Sequence, residues 1–189
     1  DASNGEVIEI ANPATKALID TVPKSTRVDC DRAVEAAYLG QKEWAKVPLY
    51  ERASRLLKFV SLVERDKDSL AKLLCEETGK PINEAIGEIA NVSIGIPAFC
   101  ERAKHEYGNV IPYGQEKGNE TTLQYTVQAP LGVVVAVIPF NFPSDLFCQK
   151  VPAALLMGNS VILKPSAHNP LTLTKYVELL MEAGIPGGA

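Results

Sequence analysis

The sequence predicts an α/β chain organised around a parallel strand pair, and three stretches carry that expectation. Gly132 to Ile138 is apolar at every position after the glycine, without the alternation of a half-solvated strand, which fits a central strand buried on both faces. From Ser144, suited to cap a first turn, Leu146, Phe147, Val151, Leu155 and Leu156 fall on one side of a helix that Pro152 should bend and Gly158 should close in the left-handed region. Ser160 to Leu163 then reads as a second short buried strand ending at Lys164. A strand, a crossover helix and a second strand make a right-handed βαβ unit. Pro139 and Pro143 stop the first strand, so Asn141 and Lys164 emerge at the same end of the sheet, where open α/β sheets bind ligands.

The preceding elements follow in order. Glu6 to Ile10 and Ala17 to Val22 flank the turn sequence Asn12-Pro13-Ala14-Thr15, which predicts a β-hairpin. Arg27 to Ala45 reads as a helix of small residues with Val28, Ala33, Ala36, Ala37 and Trp44, stopped by Pro48. Tyr50 to Val63 is amphipathic through Ala53, Leu56, Leu57 and Val60, and Lys67 to Glu77 through Leu70, Leu73 and Leu74, with Gly79 and Pro81 as stops. Gly79-Lys80 lacks the upstream glycine and the preceding strand of a phosphate loop. Ile82 to Tyr107 reads as a long helix interrupted near Gly95 and Pro97, its polar residues forming a solvated face, and Gly108 to Asn119 as a loop. Thr121 to Gln128 alternates as a half-exposed strand, with Leu123, Tyr125 and Val127 pointing one way. After Lys164, Asn169 should cap a helix with Pro170 at its first position, running from Leu171 to Ala183 and ended by Gly184 and Pro186. A parallel sheet of only two strands leaves an apolar edge open, so the α/β fold reads as incomplete as it stands.

Composition narrows the function. The 189 residues are 46% hydrophobic, enough for a sizeable core, and carry a net charge of -4 with no cluster of lysine or arginine, which argues against nucleic acid or an anionic membrane as partner. No segment approaches the roughly 20 apolar residues of a bilayer span, and Asp1 to Asn4 lack the start of a secretory signal. A cytoplasmic location is the expectation, and the absent initiator Met suggests trimming. Cys30, Cys75, Cys100 and Cys148 are scattered among helical residues with no Cys-x-x-Cys pair, so buried, unreactive thiols are expected and no metal site.

Pro-Phe-Asn-Phe-Pro at 139 to 143, Pro-Ala-Ala-Leu-Leu-Met-Gly-Asn at 152 to 159, Lys-Pro-Ser at 164 to 166, Glu-Ala-Gly-Ile-Pro at 182 to 186 and Glu77-Thr78-Gly79-Lys80-Pro81 together resemble the aldehyde dehydrogenase superfamily, from about residue 6 to the last. The resemblance implies a doubly wound, Rossmann-like cofactor domain with an N-terminal hairpin and helical layer. Residues 1–118 would form its N-terminal part, 119–130 a strand leading to or from an oligomerisation arm, and 131–189 the first βαβα of the sheet, with the catalytic domain outside this chain. It implies an enzyme that oxidises a small-molecule aldehyde to a carboxylic acid with NAD or NADP, through a cysteine thioester and a glutamate-activated water, as a homodimer or homotetramer.

Residue by residue, Asn141 matches the family's oxyanion asparagine. Ile138, Pro139 and Phe140 match its cofactor-lining strand end, and Lys164 the lysine that bonds the adenosine ribose, with Ser166 in the same loop. Phe142, Asp145, Leu146 and Gln149 match positions bordering the aldehyde entrance, where Asp145 and Gln149 favour a small or polar aldehyde. Many NAD-using relatives carry a glutamate three places after the lysine. Ala167 stands there here, which leaves NADP open. The family's catalytic cysteine and general-base glutamate lie downstream of these residues. A CoA-acylating semialdehyde dehydrogenase and a non-catalytic nucleotide-binding or scaffold module are the competing readings.

Overall fold

In the computed structural model, which describes residues 2–189, a hairpin and five helices precede a βαβα unit. Strands β1 (Val7–Ala11) and β2 (Leu18–Pro23) pair antiparallel around the Asn12 turn, where the Asn12 side chain accepts from the N–H groups of Ala14 and Thr15. Helix α1 (Arg27–Trp44) opens with a capping box between Thr26 and Asp29. Helices α2 (Leu49–Arg65) and α3 (Lys67–Thr78) follow, and Gly79 at φ +76 closes α3 in the conformation glycine adopts without strain. Helices α4 (Ile82–Ala90) and α5 (Val92–Ala103) lead to two-residue strands, β3 (Val110–Ile111) and β4 (Gln124–Tyr125).

Strands β5 (Val133–Val137) and β6 (Ser160–Lys164) flank helix α6 (Pro143–Leu156) and pair in parallel from Val133↔Ser160 to Val137↔Lys164, as the sequence predicts. Helix α7 (Leu171–Glu182) follows. The core forms where α2, α6 and α7 meet. Phe59, Phe147 and Tyr176 are fully buried with ring centroids 5.1 to 6.1 Å apart. Burial of each such side chain stabilises the fold by about 1.5–3 kcal/mol. The carbonyls at the end of α6 are satisfied from outside the helix, Leu155 by the Trp44 indole at 2.8 Å and Leu156 by the Arg52 guanidinium at 2.8 Å. These bonds lock α1 and α2 onto the crossover helix.

Several expectations need correction. β5 is not buried on both faces: Ala136 and Ile138 are in the core, but Val135 and Val137 are each 58% exposed, because the other described residues leave these two side chains uncovered. Ser144 does not cap α6. The helix starts at Pro143, whose missing N–H is harmless there, and Ser144 lies inside it. The break predicted near Gly95 and Pro97 falls instead at Asn91. Burial of Val92, Ile96, Cys100 and Ala103 along one face of α5 outweighs the donor that Pro97 lacks.

Pro170 rather than Asn169 is the N-cap of α7, and the capping acceptor comes from another helix, as described below. The 108–119 stretch contains β3, and the 121–128 strand shrinks to β4 with Leu123, Tyr125 and Val127 all exposed. Leu57 faces solvent on α2 while Phe59 and Val63 take the core. Cys30 is exposed, whereas Cys100 and Cys148 are buried.

Candidate active site

The parallel register sets the site. Val137 lies opposite Lys164, and the Ile138 N–H donates to the Lys164 carbonyl at 3.0 Å, so the ladder ends with both chains at one sheet edge. There they diverge into residues 139–142 and 165–170. Asn141 is exposed at the tip of the first loop, and among the described residues its side-chain amide has no hydrogen-bond partner.

The backbone beneath that amide is held from several sides. The Lys80 ammonium donates to the Asn141 carbonyl at 3.2 Å, lies 4.7 Å from the centre of the Phe142 ring and pairs with the Glu88 carboxylate. The other Glu88 oxygen accepts from the Ser144 N–H at 2.8 Å, at the N-terminus of α6, where a carboxylate is favoured by the unpaired N–H groups of the first turn. The Ser144 hydroxyl lies 2.6 Å from the Tyr176 hydroxyl in the core. The Asn169 amide donates to the Phe140 carbonyl at 2.8 Å and ties the second loop to the first.

The second loop is anchored by another buried carboxylate. Glu77 accepts from the N–H groups of Leu171 and Thr172 at 2.7 and 2.9 Å, capping α7 from α3. Burial pushes its carboxyl above the ordinary value of 4.5, against the lowering effect of these Leu171 and Thr172 bonds. Lys164 is exposed and its ammonium donates to the Pro165 carbonyl at 3.1 Å, leaving further N–H groups free. The Ser166 hydroxyl accepts from the His168 N–H at 3.1 Å and can still donate. Ala167 is exposed and brings no charge. Pro139 and Phe140 are exposed, whereas the Ile138 side chain is 1% exposed, so Ile138 offers the crevice only its backbone.

Between α5 and the start of α6, a cleft of about 360 Å³ is lined by Asn91, Ile94, Gly95, Ala98, Phe99, Asp145, Cys148 and Gln149. The Asn91 amide donates to Asp145 at 2.9 Å, and no lining residue is cationic. The Cys148 thiol is pushed up to about 12 by burial and by the charges of Asp145 and Glu88, so it stays protonated and is not a nucleophile at neutral pH. Phe142 is half exposed beneath Lys80, and Leu146 packs against the core.

Sequence reasoning missed the supporting set of Lys80, Glu88, Glu77 and Asn169. Glu88 was detectable: Ala85, Glu88, Ile89 and Val92 follow the spacing of one helix face, and all four are buried, so the carboxylate belongs to the core side of α4 rather than to a solvated face. The partners of Glu77 lie 94 and 95 residues away and leave no local signal.

A parallel strand pair with a crossover helix, a strand-end amide and a neighbouring exposed lysine defines the opening of a doubly wound, Rossmann-like cofactor domain. More narrowly, the chain belongs to the aldehyde dehydrogenase family, whose model matches residues 1–189. It is 38% identical over 188 residues to glutarate-semialdehyde dehydrogenase of Pseudomonas putida, covering 100% of this chain and 38% of that protein. It is likewise 38% identical to the NADP-dependent D-glyceraldehyde dehydrogenase of Picrophilus torridus, covering 100% of this chain and 37% of that protein. The crystal structure of an NADP-dependent enzyme of Escherichia coli superposes with a TM-score of 0.94 at 34% identity, over 100% of this chain and 38% of that one. The chain thus spans under two fifths of the length of these relatives.

Proposed function

We propose that these residues are the N-terminal portion of an NAD(P)-dependent aldehyde dehydrogenase that converts an aldehyde to a carboxylic acid through a cysteine thioester, with the cysteine and the general-base glutamate lying beyond residue 189. One observation carries the reading: a strand-end asparagine whose amide is unpartnered while the backbone beneath it is hydrogen-bonded at Phe140, Asn141 and Ser144. Attack on a carbonyl puts negative charge on its oxygen, and a neutral donor already in place stabilises that charge without reorganising. Asn141 takes this role.

NAD or NADP, when bound, supplies the acceptor for the hydride that leaves the substrate. Pro139, Phe140 and the Ile138 backbone line its approach, and Lys164 and Ser166 hold its ribose. The exposed Lys164 ammonium, the free Ser166 O–H and the uncharged Ala167 suit a ribose carrying a 2'-phosphate as well as one without it. Phe142, Asp145, Leu146 and Gln149 border the aldehyde. The Asp145 carboxylate, in a cleft without a cationic lining residue, favours a small neutral polar aldehyde over one ending in a carboxylate. Residues 119–130 lead to an arm through which the complete protein forms a homodimer or homotetramer, and its location is the cytoplasm.

The test is cofactor reduction by the complete protein. It should reduce NADP at least comparably to NAD with glyceraldehyde, without CoA, and kcat/KM should not climb with alkyl chain length. Ala167→Glu should shift preference toward NAD by roughly fivefold or more, since a carboxylate near the phosphate costs on the order of 1 kcal/mol. Strict dependence on CoA would instead select the acylating branch. A preference for NAD over NADP of more than about a hundredfold would remove the role given to Ala167.

A further inference from the structure

An oxyanion donor is useful only if its direction is set before charge develops, and a misplacement of about 1 Å can cost on the order of a hundredfold in rate. Asn141 has no side-chain partner among the described residues, so the backbone of 140–143 fixes the Cα–Cβ bond from which its amide is presented. Proline restricts φ at 139 and 143, but the Asn141–Phe142 peptide lies between them and is free to rotate on that ground alone. Its carbonyl is the one that Lys80 holds, across 61 residues of sequence. Rotation of that peptide would break a charge-assisted hydrogen bond and shift the backbone that carries the Asn141 side chain.

Lys80 is in turn fixed. Its side chain is 11% exposed, it pairs with Glu88, which is 2% exposed, and the second Glu88 oxygen grips the N–H of Ser144 on the far side of the same loop. A largely buried lysine and a buried glutamate therefore hold the loop at two points, the Asn141–Phe142 peptide and the Ser144 N–H.

We infer that Lys80 and Glu88 are positioning residues for the oxyanion donor: the pair clamps the Asn141 carbonyl and the Ser144 N–H, and so fixes the backbone position from which the Asn141 amide is presented. This rests on the catalytic reading of Asn141 given above, although the clamp itself is a matter of geometry in this chain.

The experiment uses the complete enzyme and removes the Lys80 contact without leaving a buried charge. Lys80→Met is made together with Glu88→Gln, whose side-chain oxygen still accepts from the Ser144 N–H. Relative to Glu88→Gln alone, the pair should lower kcat about tenfold with KM within roughly twofold, whereas in an Asn141→Ala background it should change kcat less than about twofold. Lys80→Arg, which keeps a cationic donor, should retain most of the rate. An equal loss of rate with and without Asn141 would overturn the inference, because the pair would then act on stability rather than through the amide. No loss of rate in either background would also overturn it.

Hydrogen exchange of the Ser144 amide, which Glu88 holds, separates this idea from the catalytic reading. Loss of the Lys80 contact should speed its exchange about tenfold while α7 amides keep their protection. Unchanged exchange at Ser144 refutes the clamp even if Asn141→Ala abolishes activity. Faster exchange supports it even if Asn141→Ala leaves activity intact, an outcome that would refute only the role assigned to the amide.

Discussion

The strand-end crevice and the 108–131 segment use the chain in opposite ways. In the crevice, two short loops carry exposed functional groups on a backbone whose polar atoms are held by Glu77 of α3, Lys80 of the α3–α4 turn, Glu88 of α4 and Asn169 just before the cap of α7. Between residues 108 and 131 the pattern reverses. Apolar side chains face solvent, Leu131 at 93% and Val127 at 73% exposed, and the backbone pairs over only two residues of β3 and β4. A side chain is directed when its backbone is fixed by partners distant in sequence. A strand-like pattern with nothing to pack against yields a two-residue ladder.

The largest effect expected from breaking this contrast is at the crevice tip. Asn141→Ala in the complete enzyme should lower kcat by about 10² to 10³, the usual loss for one oxyanion donor, while the melting temperature stays within a few degrees, because the side chain makes no contact that the fold needs. Steady-state kinetics and thermal denaturation read the two quantities separately.

Next comes the anchor of the second loop. Glu77→Ala removes the acceptor for two buried N–H groups of α7 and should cost about 2–3 kcal/mol in denaturant unfolding. Because burial raises the Glu77 carboxyl above 4.5, the folded state binds its proton more tightly than the unfolded chain does. Stability should therefore decline as pH rises from 4.5 through the raised value, and Glu77→Gln should remove that contribution from the pH profile.

The smallest effect belongs to the other region. Tyr125→Ser, at a side chain 67% exposed on a two-residue strand, should change unfolding free energy by no more than about 0.5 kcal/mol in these residues taken alone. A larger loss in the complete protein than in the 189-residue chain would show that a partner surface covers β4 there, sharpening the contrast between a region finished within this chain and one that is not.

Local pattern was enough for much of this molecule. The hairpin, the helices from 27 to 78 and the parallel strand pair were legible because apolar spacing, Gly79 and Gly158 at positive φ, and the prolines at 139 and 143 each act through neighbouring residues. The same logic placed Asn141 and Lys164 at one sheet edge, since a right-handed crossover leaves no other arrangement.

What only the tertiary structure decided is which polar groups are buried and why. Ser144 reads as a cap and is instead held by Glu88 and paired with Tyr176, and Asn169 reads as a cap and instead braces Phe140, while Glu77 from α3 does the capping. The helix break moved to Asn91 because core contacts of α5 outweighed a proline's local preference. Val135 and Val137 have the composition of a buried strand, but burial requires a covering neighbour and the described residues leave each 58% exposed. Sequence pattern therefore determined the elements and their order, since secondary structure answers to spacing along the chain. The supports of the strand-end loops were set by the fold, because a buried charge is stable only beside partners that folding brings from elsewhere in the chain.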